Sequence, residues 1–280
     1  RELAFRAACR DGFLDVAQWV YLLGGADHHA ENDWAFRKAC QYGHLEVAQW
    51  VYSLGGVDHH AKNDWAFRWA CSNGNLEVAR WVYSLGGVDH HAEEEEAFRW
   101  ACENGHLEVA QWGYSLGDVD HHTEDEEVFR WACIIGHLEM AQWIYSLGGV
   151  DHHDKNELCF RWACAYGHLE VAQWIYSLGD VNHRADDEGS FRLACRYGYL
   201  EVAQWVYSLG DVDYHAEDEW AFRSACQSGH LEVAQWVYSL GDVDHHTEDE
   251  YAFRSACSSG HLEVAQWIYS LGSVDHHAVD

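Results

Sequence analysis

The sequence predicts an all-α solenoid of nine stacked helix-turn-helix repeats, and three observations carry that reading. A period of 31 residues runs through the chain. Inside each period, apolar residues recur at helical spacing. Glycines punctuate every period at the same two places, and proline is absent from all 280 residues.

The period is read from the dipeptide Phe-Arg, whose arginine recurs at Arg6, Arg37, Arg68, Arg99, Arg130, Arg161, Arg192, Arg223 and Arg254. Gly12 recurs at the same step to Gly260, Trp19 to Trp267 and Gly24 to Gly272. Nine steps of 31 cover 279 residues, so residues 1–280 read as one array with no room for a linker or a second domain.

Residues 33–61 illustrate one repeat. Phe36, Ala39 and Cys40 stand at i, i+3 and i+4 and form one apolar helical face. This first helix is expected to open at an acid, which is Glu2, Asp33, Asp64, Glu95, Glu126, Glu157, Glu188, Glu219 or Glu250, four residues before the arginine. Acid before base at that spacing predicts an ion pair of about 0.2–0.5 kcal/mol, a scaffolding role for the arginines. Gly43 is expected to end the helix in the left-handed conformation. A second helix follows from about Leu45 to Leu54, with Glu46, Gln49 and Ser53 as one narrow polar stripe. A helix apolar around most of its circumference must be covered on several sides. One 31-residue unit cannot do this, whereas stacked neighbours can. Gly55 and Gly56 then open a polar connection.

These residues resemble the ankyrin repeat family. The likeness lies in Ala-Cys-x-x-Gly-His-Leu-Glu-Val-Ala-x-Trp, then Leu-Gly and a turn containing Asp. Gly-His-Leu-Glu-Val-Ala stands intact at His44, His106, His168, His230 and His261, and the likeness covers all nine repeats. Trp-Ala-Phe-Arg or a relative replaces the family's Thr-Pro-Leu-His, and the period is 31 rather than 33. The resemblance implies stacked helix pairs joined by short loops or hairpins, with first helices lining a concave surface that holds partner proteins. Uniform arrays of this kind are similar to ankyrin proteins of large DNA viruses, for which the host cytoplasm is the expected location.

Comparing the repeats locates the variation. In the frame of repeat 2 it falls at positions 34, 38, 41 and 42, one side of the first helix opposite Phe36, Ala39 and Cys40. Across the middle repeats this side becomes aromatic and apolar. Trp69, Trp100, Trp131 and Trp162 form a ladder, joined by Ile134, Ile135, Tyr166 and Tyr197. These eight residues are the predicted partner-binding set, centred on repeats 4–7, because Trp and Tyr commonly anchor protein interfaces. The competing reading has the four tryptophans filling the groove between adjacent first helices.

Nine of the ten cysteines share one core position, from Cys9 to Cys257, with Cys159 the exception. Equivalent atoms in adjacent helix pairs lie about 8–10 Å apart, beyond the roughly 7 Å reach of a disulfide. Reduced thiols in an intracellular, reducing compartment are expected. The Asp-His-His turns at His28/His29, His59/His60, His90/His91, His121/His122, His152/His153, His245/His246 and His276/His277 invite a metal or pH role. Neighbouring residues of an extended connection point to opposite sides, so each pair chelates poorly. One His bonding the next loop and one solvated is the expected arrangement, and neither metal nor cofactor is assigned. Asn182-His183-Arg184 and Tyr214-His215 interrupt the series.

No phosphate loop or nucleophile elbow is present, and every reactive residue type recurs about nine times, so no enzyme activity is expected. Lys plus Arg is 17 against 47 Asp plus Glu, a net charge of −30. That balance disfavours nucleic acid and anionic membranes as partners. The expected function is a protein-binding scaffold or adaptor, a monomer whose partner is basic or aromatic-seeking. The alternatives are a structural spacer and a metal- or pH-responsive solenoid. Repeat 9 reads as apolar as any internal repeat, which suggests a fragment of a longer array.

Overall fold

The computed structural model describes residues 1–119 and 123–272, with side chains described there except at 123–126, 154 and 156. Among the described residues the chain is all-helical, eighteen helices with no strand, and no helix is long and apolar enough to cross a membrane. The connections are therefore loops, and the hairpins allowed by the sequence are not formed among these residues. Two compact parts, Arg1–Val128 and Phe129–Asp280, are each built from consecutive helix pairs.

In repeat 2 the first helix spans Ala30–Gln41 and the second Leu45–Ser53. The turn between them follows from Gly43, which sits at φ +81°. His44 N–H donates to Ala39 O at 2.8 Å and Gly43 N–H to Cys40 O at 3.2 Å. This pairing satisfies carbonyls that a helix end leaves open. Gly43 is also sterically required, because a Cβ there would lie 2.5 Å from Asn75 of the following repeat. At Gly12, Gly74, Gly136, Gly198 and Gly229 the following repeat's His takes Asn75's place. The Gly-His signature is thus a contact between neighbours as well as a turn.

Within each part, first helices pack on first helices of the next repeat and on their own second helices. An aromatic node fills the junction. Phe36 is fully buried, 6.0 Å from Tyr52 of its own repeat and 6.0 Å from Trp81 of the next, and Tyr52 meets Trp81 edge-on at 5.8 Å. The same triad recurs with Phe67 and Trp112, Phe129 and Trp174, Phe160 and Trp205, Phe191 and Trp236, and Phe222 and Trp267. Edge-to-face rings at these spacings add to the hydrophobic gain. The tryptophan of Gln-Trp therefore belongs to the preceding repeat's core, which is why one repeat cannot close it.

The cysteines lie beside this node. All ten are free, and all but Cys257 are buried. Burial pushes the Cys9 thiol up to about 12, and it pushes Cys40, Cys71, Cys164, Cys195 and Cys226 up as well. They pack as small apolar groups.

The entry into the first helix departs from expectation. Glu31, Asn32 and Asp33 adopt φ of 55–59°, a left-handed turn ahead of the right-handed helix. The same turn occurs at Lys62–Asp64, Glu93–Glu95, Asp186–Glu188, Glu217–Glu219 and Glu248–Glu250. Left-handed backbone costs an L-residue about 1–2 kcal/mol, so something must hold it. Asp33 is buried and divides its carboxylate between His29 Nδ1 at 2.8 Å and the Asp58 N–H at 3.1 Å. Arg37, also buried, donates to Asn32 O at 2.7 Å and Glu31 O at 3.0 Å. The expected acid–arginine pair within the helix forms at Glu2–Arg6, 3.4 Å. In repeat 2 the acid is instead turned toward histidine and the arginine toward carbonyls, because the left-handed turn swings the acid off the helical face.

Candidate functional site

The first helices present two kinds of variable position, and their packing separates them. Position 34 faces the arginine of the preceding repeat. Arg6 lies 5.1 Å from the Trp34 ring, Arg37 4.9 Å from Trp65, Arg192 4.9 Å from Trp220 and Arg223 5.2 Å from Tyr251. Where that position carries an acid, an ion pair replaces the ring, as in Arg68–Glu96 and Arg99–Glu127. At Gly189 the position is empty, and Arg161 reaches Asp186 instead. Variation at position 34 is thus a choice of inter-repeat partner for arginine, a cation–π contact or an ion pair. It belongs to the scaffold more than to the outer surface.

Positions 38, 41 and 42 carry the predicted site. In residues 1–128, Trp69 is half-buried, stacked on Trp65 at 5.3 Å and tilted against Trp100 at 5.1 Å. These rings pack on one another, as the groove-filling reading expects. In residues 129–280 the outcome differs. Trp131 is 39% exposed, Ile135 41%, Tyr166 43% and Tyr197 44%. Trp162 stacks on Tyr166 at 5.3 Å with an 18° interplanar angle, and Ile134 is half-buried. Ile135, Tyr166 and Tyr197, one repeat apart at a single position, and Trp131, four residues before Ile135, thus remain open to solvent. Tyr42, also exposed, occupies the position of Ile135, Tyr166 and Tyr197 in repeat 2. Sequence reasoning passed over it, although comparison down that one position would have found it.

The connections resolve the histidine pairs. The first His donates from Nε2 to a glycine carbonyl one repeat on: His28 to Gly55 at 3.1 Å, His59 to Gly86 at 3.0 Å and His183 to Gly210 at 2.9 Å. The second, expected in solvent, instead pairs through Nδ1 with the acid four residues on. These pairs include His60–Asp64, His91–Glu95 and His246–Glu250, each at 2.6 Å. The two interruptions preserve both contacts. Arg184 replaces the second His and bonds Glu188 at 2.6 Å, and Tyr214 replaces the first and donates to Gly241 O at 3.2 Å. Arginine has no lone pair for a metal, so the geometry kept by all these side chains is that of an inter-repeat clip.

Of the four acids Glu93, Glu94, Glu95 and Glu96 that might complete a metal site, three are already engaged: Glu95 with His91, Glu96 with Arg68, and Glu93 with Asn63. Among the described residues no three His, Cys, Asp or Glu side chains come together as metal ligands. His121, His122, His276 and His277 lie outside the described residues. Two histidines of the Gly-His signature are electrostatically distinct. Burial lowers the pKa of His168, opposed by its bond to the Ile134 carbonyl, and burial likewise lowers that of His230.

A second feature lies farther along residues 129–280. Arg196, Trp220, Arg223, Ser224, Gln227 and Tyr251 line a cleft of about 110 Å³. In comparisons with known proteins, the chain matches no family model and no curated protein.

Proposed function

We propose that this chain is an ankyrin-type array that binds another protein and does no chemistry. The contact surface is the variable side of the first helices, which the ankyrin resemblance makes concave. The observation that carries this reading is the exposure of Trp131, Ile135, Tyr166 and Tyr197 on one repeated position set. Exposed aromatic and branched residues in register are the usual composition of an interface hot spot. The same positions in repeats 8 and 9 carry Ser224, Gln227, Ser228, Ser255, Ser258 and Ser259, so the apolar character does not extend into the last two repeats. A protein partner also accords with the net charge of −30, which disfavours nucleic acid.

The test is affinity capture with wild type beside Trp131→Ala combined with Ile135→Ser. Both side chains are over a third exposed, so melting temperatures should stay close. A partner held by wild type and lost by the variant is expected. Identical partners for both proteins would place the interface elsewhere and favour the spacer reading.

A further inference from the structure

The proposed interface names no partner chemistry, and the cleft beside Tyr197 supplies some. Of the 17 Lys and Arg residues, nine are the repeated arginines of Phe-Arg. Arg223 is one of these. It donates to Asp218 O at 2.6 Å, Glu217 O at 2.9 Å and the Glu248 carboxylate at 2.6 Å, so its fork is used up and its charge compensated. Arg196 is different. It occupies position 41 of repeat 7, its side chain is exposed, and among the described residues that side chain makes no hydrogen bond or ion pair, while the rings of Tyr197 and Trp220 lie 5.7 and 5.9 Å from it. The other cations on this side are engaged, Lys38 with Gln41 at 2.7 Å and Arg10 with Asp11 at 2.6 Å.

We propose that the cleft of Arg196, Trp220 and Tyr251 receives an acidic side chain, Asp or Glu, of a peptide segment whose apolar residues lie on Tyr197 and Tyr166. This rests on the protein-binding reading above. An uncommitted guanidinium held between aromatic rings presents its planar fork to a carboxylate, which it binds bidentately. The two rings flank the guanidinium at 5.7 and 5.9 Å and leave it open to an incoming carboxylate. One free positive charge matches one carboxylate. A dianionic phosphate would bring a second negative charge beside Glu217 and Glu248, which already neutralise Arg192 and Arg223. The inference keeps the aromatic-seeking partner of the sequence reading and departs from the basic one at this point, where the local charge of Arg196 and not the net charge of the chain selects an acid.

A random-peptide display library selected on the full chain tests it. Enriched peptides should carry Asp or Glu next to aromatic or branched residues. A synthetic peptide from that set should lose about tenfold or more in affinity for Arg196→Gln, the value of a hydrogen bond to a charged group. Arg196→Lys should recover only part of it, since lysine lacks the fork. The peptide with Gln in place of its acid should bind wild type and Arg196→Gln alike. Thermal melts confirm that the exposed substitutions leave the fold intact. Neutral or basic peptides that still depend on Trp131 and Ile135 would overturn the acidic subsite and leave the interface standing. Failure to enrich any peptide would overturn both.

Discussion

Replacing Glu94 by glycine should stabilise the protein, although the residue lies within a helix segment. Glu94 has φ 57° and ψ 55°, and its side chain is exposed. Asp187 at φ 51°, ψ 58° and Asp249 at φ 54°, ψ 55° are equivalent. At such a site alanine keeps the left-handed penalty of about 1–2 kcal/mol. Glycine removes it and costs about 0.5–1 kcal/mol in unfolded-chain entropy. Glycine should therefore exceed alanine by about 0.5–1 kcal/mol per site. The three sites lie in separate repeats and should add. A triple glycine variant should then surpass the triple alanine variant by about 2 kcal/mol, or roughly 4–8 °C in melting temperature. Urea midpoints and thermal melts of the two variants measure the difference. In a right-handed helix the order reverses, alanine exceeding glycine by about 1 kcal/mol per site. Alanine as the more stable variant would refute the left-handed turn and the account of the clips that hold it.

Other perturbations test the packing and the electrostatics. Gly74→Ala should destabilise more than Gly86→Ala in chemical unfolding. Both have positive φ, but a Cβ at Gly74 meets His106 at 2.6 Å whereas the space beside Gly86 is open; equal losses would remove the steric half of the Gly-His argument. His168 and His230 are held below the usual 6.5 by burial, so the unfolded chain takes up their protons first. Their contribution is complete above about pH 6.5 and is lost as pH falls below it. Asn75 makes the equivalent bond without titrating, to Gln41 O at 2.7 Å. The double variant His168→Asn, His230→Asn should accordingly melt with a shallower acid dependence than wild type, and parallel curves would contradict the assignment. Phe191→Ala, which empties a fully buried node, should cost about 3–5 kcal/mol, well above the loss for the half-exposed Trp131→Ala. A thiol reagent should modify Cys257 in the folded protein and the nine buried cysteines only on unfolding; prompt reaction of several thiols would mean the nodes open readily.

Much of the helix pairing was legible because its causes are local. Gly43, the i, i+3, i+4 run of Phe36, Ala39 and Cys40, and the apolar circumference of Leu45–Ser53 each act within a few residues. The entry turn was not legible. Asp and Asn enter left-handed backbone more readily than most residues, but Glu-Glu-Glu has no such preference, and acids before a helix normally signal its right-handed start. The turn depends on Arg37, His29 and the Asp58 N–H arriving together, the last from 25 residues away. The candidate site was legible as a set of positions and not as a surface. Trp69 and Trp131 occupy the same repeat position, yet Trp69 is stacked between two rings while Trp131 is 39% exposed.

The amino-acid sequence by itself determined the period, the helix pairs, the glycine stops and the shared cysteine layer, because helix propensity, amphipathic spacing and turn chemistry act over one or two turns of chain. Only the tertiary structure decided which tryptophans face solvent, that the histidine pairs clip one repeat to the next, and that Arg196 is left without a carboxylate among the described residues. Each of those outcomes turns on groups some 24 to 34 residues apart, and a repeated sequence offers every repeat the same candidates. Stacking chooses among them by which neighbour supplies a ring, a carbonyl or an acid at contact distance.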